Sequence, residues 1–302
     1  MGCHKKISNI KYQSSKRNGI LFTLLIFCLV YYLFKLITSS VFMKGRDKIN
    51  VVFYGEKVRF YSLDRKNINY LISFSNLVRV IVPGGYGKYK VGAIGKLASL
   101  EKKPEIVQKT FSAMTSTLVD LYFYQRKSTV YYNNSNLKIT PGFMEIFLTN
   151  SNSNLIDKFF LLYIFSANSK ENFQVIDTKP FETDGENSVF DYNLFYKKFQ
   201  GSFFQKSYRD FDINVQITYL KSYKTAQLIG QIIEGEGIRV VDLSNQDKIL
   251  SGCILISNKN TSTTKTFQRL KDFFKCKVKV GDTTVSDIIL ELGDLEKDWS
   301  VD

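Results

Sequence analysis

An apolar run from Ile20 to Met43, ILFTLLIFCLVYYLFKLITSSVFM, constrains this chain more than any other feature, with Lys35 as its only charge. At 1.5 Å per residue, a helix of this length crosses a hydrocarbon core of roughly 30 Å. Lys5, Lys6, Lys11, Lys16 and Arg17 precede it, and such a cationic flank stays on the cytoplasmic side. A cleaved leader would have a shorter apolar core and a small-x-small cleavage site, of which Ser39 and Ser40 give a poor version. A buried core helix fits poorly, because the run lies near the first residue and its aliphatic and aromatic side chains point all round. The expectation is a cytoplasmic tail over 1–19, a single membrane span over 20–43, and an extracytoplasmic bulk beyond Lys44.

The remainder of the 302 residues is long enough for two compact domains. The net charge is +14, from 42 Lys and Arg against 28 Asp and Glu. The tail holds only five of those cations, so the exported part is basic in its own right. Anionic lipid head groups, anionic wall polymers and nucleic acid are all partners for such a surface, and so is water alone. Export argues against nucleic acid, and no zinc-finger, RNP-like or helix-turn-helix signature is present. The single histidine is His4, in the tail. An exported Ser-His-Asp or Cys-His arrangement is therefore excluded, as is a His-ligated metal. Cys253 and Cys276 lie in the strand-like runs GCILIS and CKVKV, where an oxidising exterior permits either a disulfide or two free thiols.

Strand character recurs over Ile49–Tyr54, Lys57–Leu63, Asn69–Phe74 and Val78–Val82, punctuated by Gly55-Glu56 and Asp64–Asn67. A PGGYG loop at 83–87 follows, then a short helix through Val91–Leu97. Pro104 and Glu105 open a firmer helix whose Val107, Phe111, Met114 and Leu118 share one face. Leu118–Tyr124 returns to strand, and Phe159–Phe165 reads equally as a core strand or helix. Residues 181–211 read as a connector with a turn at Asp184-Gly185. Beyond it, Ile213–Leu220 alternates as a strand, and Thr225–Glu234 carries a helical stripe ended by Gly235 and Gly237. Two strands, Ile238–Leu243 and Cys253–Ser257, a helix capped by Thr261 and two strands, Lys277–Val280 and Asp287–Leu292, complete the chain. This predicts an α/β (α+β) protein: an anchor, a mixed-sheet core with flanking helices over 48–180, and a small βαββαβ unit with a final strand over 212–302. Two helices covering one face of its sheet is the economical arrangement.

KVRFYSLDRKN, INYLISFSNLVRVIVPGGYGKYKVGAIGKL, LVDLYFYQ and the last ninety or so residues through SDIILELGDLEKDW resemble, in order and pattern, the LytR-CpsA-Psr family of bacterial envelope proteins with its LytR C-terminal domain. The resemblance implies a membrane-anchored protein that moves glycopolymer from a polyprenyl-pyrophosphate carrier to a cell-wall acceptor. Arginines, acids and a divalent metal, Mg or Mn, would grip the pyrophosphate, and an apolar cavity would hold the lipid tail. Mapped onto the family pattern, Glu56 stands for the first-strand Asp, Ser73 matches the Ser of Ser-Ile-Pro-Arg-Asp, and Lys90 matches the later lysine. Ser75, Asn76 and Leu77 replace that motif's Pro, Arg and Asp. The stretch SNSNLIDKFFLLYIFSANSK, where an arginine-rich motif belongs, has no Arg. Each lost charge-assisted contact is worth about 1.5–3 kcal/mol, so the expectation is a catalytically degenerate member.

Arg65, Arg79, Lys88 and Lys90 are the candidate phosphate or polyanion ligands, with loop N–H groups beside them. The loop glycines serve equally to turn the chain, and Asp64 with Arg65 equally makes a solvated turn pair. Glu56 and Asp120 are the candidate metal ligands or, alternatively, structural carboxylates. Tyr122, Phe123, Tyr124, Tyr131 and Tyr132 would line a groove or simply pack. The expected role is binding of anionic or lipid-linked wall glycopolymer at the membrane. An active phosphotransferase is one alternative, and an envelope scaffold docking a protein partner through its C-terminal unit is another.

Overall fold

The computed structural model describes residues 22–64, 68–125, 129–132, 139–167, 172–183, 185, 188–209, 212–246 and 252–301. Helix α1, Phe22–Ser39, is long and apolar enough to cross a membrane and is exposed along its length. It is the one such helix among the described residues. Arg65 and Asp184 lie outside the described residues.

The strands of the first unit are β1 (Lys48–Tyr54), β2 (Val58–Asp64), β3 (Asn69–Phe74), β6 (Leu121–Tyr124), β7 (Asn150–Ser151) and β8 (Phe173–Ile176). They form one sheet in the order β7-β6-β1-β2-β3-β8, in which β1–β2 and β2–β3 are antiparallel and β1–β6 and β3–β8 parallel. Alternation along the strands sends side chains to two faces. Val52, Tyr54, Val58, Phe60, Ile72 and Phe74 enter one core, while Ile49, Val51, Phe53, Tyr61, Leu63 and Leu71 enter the other. Burial on both faces is why these strands read as nearly unbroken apolar runs.

Helices α2 (Ile94–Leu100) and α3 (Glu105–Thr115) supply the first face with Ile94, Leu97, Val107, Phe111 and Met114. Residues 181–211, expected to connect, add Phe181, Phe190, Phe195 and Phe203 to this same core, with α6 (Tyr192–Phe199) against α3. Helices α4 (Phe143–Phe147) and α5 (Leu155–Ala167) cover the second face through Ile146, Leu161 and Phe165. The ambiguous stretch at 159–165 is thus helical.

The C-terminal unit runs β9 (Asn214–Tyr219), α8 (Tyr223–Gly235), β10 (Arg239–Asn245), β11 (Ile254–Ser257), α9 (Lys265–Phe274), β12 (Lys277–Val280), β13 (Ile288–Glu291) and α10 (Leu295–Asp298). Its sheet order is β10-β9-β13-β11-β12. Leu228, Ile229, Ile232 and Ile233 of α8 and Phe267, Leu270 and Phe274 of α9 share one core with Val215, Ile217, Leu255, Ile288 and Leu290. Both helices therefore cover one face, and polar Gln216, Thr218, Asp242 and Ser244 occupy the other. Thr264, not Thr261, caps α9, its side chain accepting from Phe267 N. Cys253 and Cys276 are joined in a disulfide with Cα atoms 4.7 Å apart, tying the entry of β11 to that of β12.

Candidate functional site: a basic hairpin face

Strands β4 (Arg79–Val82) and β5 (Gly87–Lys90) form a separate two-stranded hairpin. Val80 and Val82 are buried, so the alternate positions face away from the core. The register sets Arg79 opposite Lys90 and Ile81 opposite Lys88. Three of the four candidate cations therefore share one hairpin face, clustered around Ile81. None of them enters an ion pair among the described residues. Lys88 is exposed, and Arg79 and Lys90 are half-buried. One edge of the hairpin is held by the 188–190 segment. Arg79 N donates to Ser188 O at 2.8 Å, and Phe190 N donates to Arg79 O at 2.9 Å.

Of the roles its sequence offered, the loop takes that of turning the chain. Gly84, Gly85 and Gly87 take φ of +103°, +75° and +77°, which side chains other than glycine resist. Gly84 N and Gly85 N both donate to Ser300 O, at 2.8 and 3.0 Å. Those N–H groups are used to fasten the C-terminal end of the chain and are not free for a phosphate. Below the hairpin, Val80, Ile81, Met114, Phe190, Leu228 and Val301 leave a void of about 10 Å³, room for about one water.

The candidate metal pair does not converge. Glu56 is exposed in the β1–β2 turn, whereas Asp120 precedes β6 beside Asn50, at the other end of β1. Six residues of strand separate the two ends, roughly 20 Å. Asp120 is instead buried and paired twice, with Arg46 and with Arg269 Nη1 at 2.5 Å, while its Oδ2 accepts from Asn50 N at 2.8 Å. Arg269 also reaches Glu236 Oε1 at 3.2 Å, and that oxygen accepts from Leu118 N at 3.0 Å. Two guanidinium groups and two carboxylates thus balance in a sealed cluster. Burial pushes the Glu236 carboxyl above its ordinary range, and Arg269 opposes this only in part. Burial also works against the Arg269 cation, but Asp120 and Glu236 outweigh it and hold the proton more firmly than usual.

Of the aromatics, Phe123 lies in the second core and Tyr122 packs against the first. Burial, with Tyr124 next in effect, pushes the Tyr122 phenol up to about 12. An open groove of about 420 Å³ between α6, α8 and β10 escaped sequence reading. Tyr196, Tyr223, Gln227, Gln231, Glu234 and Asp242 line it, and Tyr196 Oη donates to Glu234 Oε2 at 2.6 Å. Rings beside amides and carboxylates suit sugar hydroxyls. Its residues come from three elements, so no local motif announces it.

No family model and no curated protein sequence matches the chain. Two solved structures do. One is titled transcriptional regulator yvhJ from Bacillus subtilis, at 10% identity and TM-score 0.36, covering 52% of this chain and 97% of that one. The other is TagV of B. subtilis, at 13% identity and TM-score 0.36, covering 53% and 98%. At that TM-score neither likeness carries an argument about function.

Proposed function

We propose that this is a single-pass envelope protein of the LytR-CpsA-Psr type, its C-terminal unit corresponding to the LytR C-terminal domain. Its bulk lies outside the membrane and holds anionic or lipid-linked wall glycopolymer without efficient transfer. The observation that supports this most is the placing of Arg79, Lys88 and Lys90 on one hairpin face, with no acidic partner among the described residues. Cations on a short rigid hairpin meet successive phosphates of a polyanion with little loss of side-chain freedom beyond their own. The groove lined by Tyr196 and Tyr223 offers a second contact for the sugars. The separation of Glu56 from Asp120, and the sequestration of Asp120 by two arginines, argue against metal-assisted phosphoryl transfer at that pair.

The test is retention of the detergent-solubilised full chain on immobilised anionic wall polymer across a salt gradient. Arg79→Ala with Lys90→Ala should shift elution to clearly lower salt, since charges at the solvent boundary act within a screening length of about 10 Å. Unchanged elution would sink the binding face. Turnover of a polyprenyl-pyrophosphate glycan with Mg²⁺ or Mn²⁺ and an acceptor would sink the degenerate reading.

A scaffold is the second reading, and one observation favours it. Phe60, Phe111, Phe195 and Phe203 are at most 2% exposed and fill the space between sheet and helices where a lipid tail would need a cavity.

A further inference from the structure

Helix α5 reads LIDKFFLLYIFSA, apolar on every side, yet only Asp157, Leu161 and Phe165 of it are buried. Leu155, Phe159, Phe160 and Tyr163 project outward at 51%, 60%, 39% and 71% exposure, and Phe143, Met144 and Leu148 at α4 extend the same surface. The patch is continuous. Phe143 stacks on Phe147, Phe147 meets Phe159 edge-on, and Phe160 stacks on Phe42 just past the end of α1. The acids of these helices are turned inward, Glu145 to Arg59 and Asp157 to Ser40. A solvated helix would do the reverse.

Its position relative to α1 says what covers it. Asn154, next to α5, donates to Leu36 O at 2.9 Å and to Ser39 Oγ at 3.0 Å, both in the last turn of α1. Asp157 accepts from Ser40 Oγ at 2.6 Å and from Val41 N at 2.9 Å. Lys35, one turn before, marks head-group level, because a lysine near a helix end extends its ammonium to the interface. The start of α5 is thus bonded to the point where α1 leaves the hydrocarbon. With 13 residues α5 is about 20 Å long, too short to span a bilayer and suited to lying in its surface.

We infer that the exposed face of α5, with α4, is seated in the outer-leaflet interface, so that the body rests on the bilayer. This rests on the anchored reading of α1. The test uses the full chain with Cys3→Ser and Cys28→Ser, reconstituted in vesicles of phosphatidylethanolamine and phosphatidylglycerol. Nitroxides are attached at single cysteines replacing Val30, Met144, Tyr163 or Tyr223. Labels at 30, 144 and 163 should collide more with oxygen than with a water-soluble nickel chelate, and the label at 223 should show the opposite order. A lipid-like signal at 30 with a water-like signal at 144 and 163 overturns the inference and leaves the anchor standing. Shielding of 163 from both reagents also overturns it, showing a protein-covered face. A water-like signal at 30 overturns the anchor and the inference together.

Discussion

Replacing Arg269 with Met tests the physics of the sealed charge cluster. Arg269 is 3% exposed and is the cation that bridges Asp120, before β6, and Glu236, after α8. Without it, two buried carboxylates face the single guanidinium of Arg46. Breaking one partner out of a buried pair costs about 3–5 kcal/mol, because the stranded charge keeps its desolvation penalty. With a urea slope of about 3 kcal/mol/M, that lowers the unfolding midpoint by roughly 1–1.7 M. Trp299 is a good reporter. It is buried against Phe273 and Phe274, beside Lys109 of α3, so it senses both the C-terminal unit and its docking. Adding Glu236→Gln to Arg269→Met should recover much of the loss, since the cluster then holds one anion and one cation. A midpoint shift under about 0.3 M in the single variant, near the scatter of linear extrapolation, would refute the reasoning. So would a double variant no better than the single one.

Two further outcomes follow from the same region. Burial raises the Glu236 carboxyl above its ordinary range, with Arg269 opposing, so the folded state holds that proton more tightly than the unfolded one. This contribution is fully present below the unfolded pKa and lost as pH rises through the folded one. Wild type should therefore gain on Glu236→Gln as pH falls toward the ordinary carboxylate range when urea midpoints of the two are compared, and a gap moving the other way contradicts the assignment. In α8, a Cβ at Gly235 would stand 1.6 Å from Ser116 O, while at Gly230 its nearest neighbour is 3.7 Å away. Gly235→Ala should destabilise by about 1–3 kcal/mol or more, whereas Gly230→Ala should gain about 0.5–1 kcal/mol in thermal melts.

Period made much of the fold legible. The stripe Leu228-Ile229-Ile232-Ile233 repeats at a spacing that admits only a helix, whereas the strands around Val52 and Phe60 are marked by short β-branched and aromatic runs between turn residues. Helix α5 has no period because nearly every side of it is apolar, so its sequence fits strand and helix alike, and only the packing of Leu161 and Phe165 on the sheet distinguishes them. Strand β5, GKYK, is hidden for the opposite reason, since lysine is depleted in strands and only its pairing with Arg79–Val82 defines it. The cations of the hairpin were named from the sequence, but their common face depends on that register. Arg46 and Arg269 were missed altogether. Their partner Asp120 lies 74 residues from one and 149 from the other, and no local pattern carries such a pairing.

The way α1 meets the body limits what the hairpin face can reach. Ser40 and Val41 are bonded to Asp157, Phe42 is stacked on Phe160, Lys44 pairs with Asp272 of α9 at 2.7 Å, and Arg46 pairs with Asp120. These contacts begin with the first residue after the helix, so no slack segment separates α1 from the fold. Gly45, at φ +65°, is a fixed turn between two paired cations. A protein meant to search across a thick wall would gain from a long polar tether, whose reach grows with the square root of its length. One fixed to its anchor samples only the layer its own body spans, and there its effective concentration toward ligands held in the same membrane is high. On the proposed reading of Arg79, Lys88 and Lys90 as polyanion ligands, that geometry favours a lipid-linked polymer over a free one. On the same proposal, the charge cluster and the apolar helix would act on binding only by setting where those cations stand.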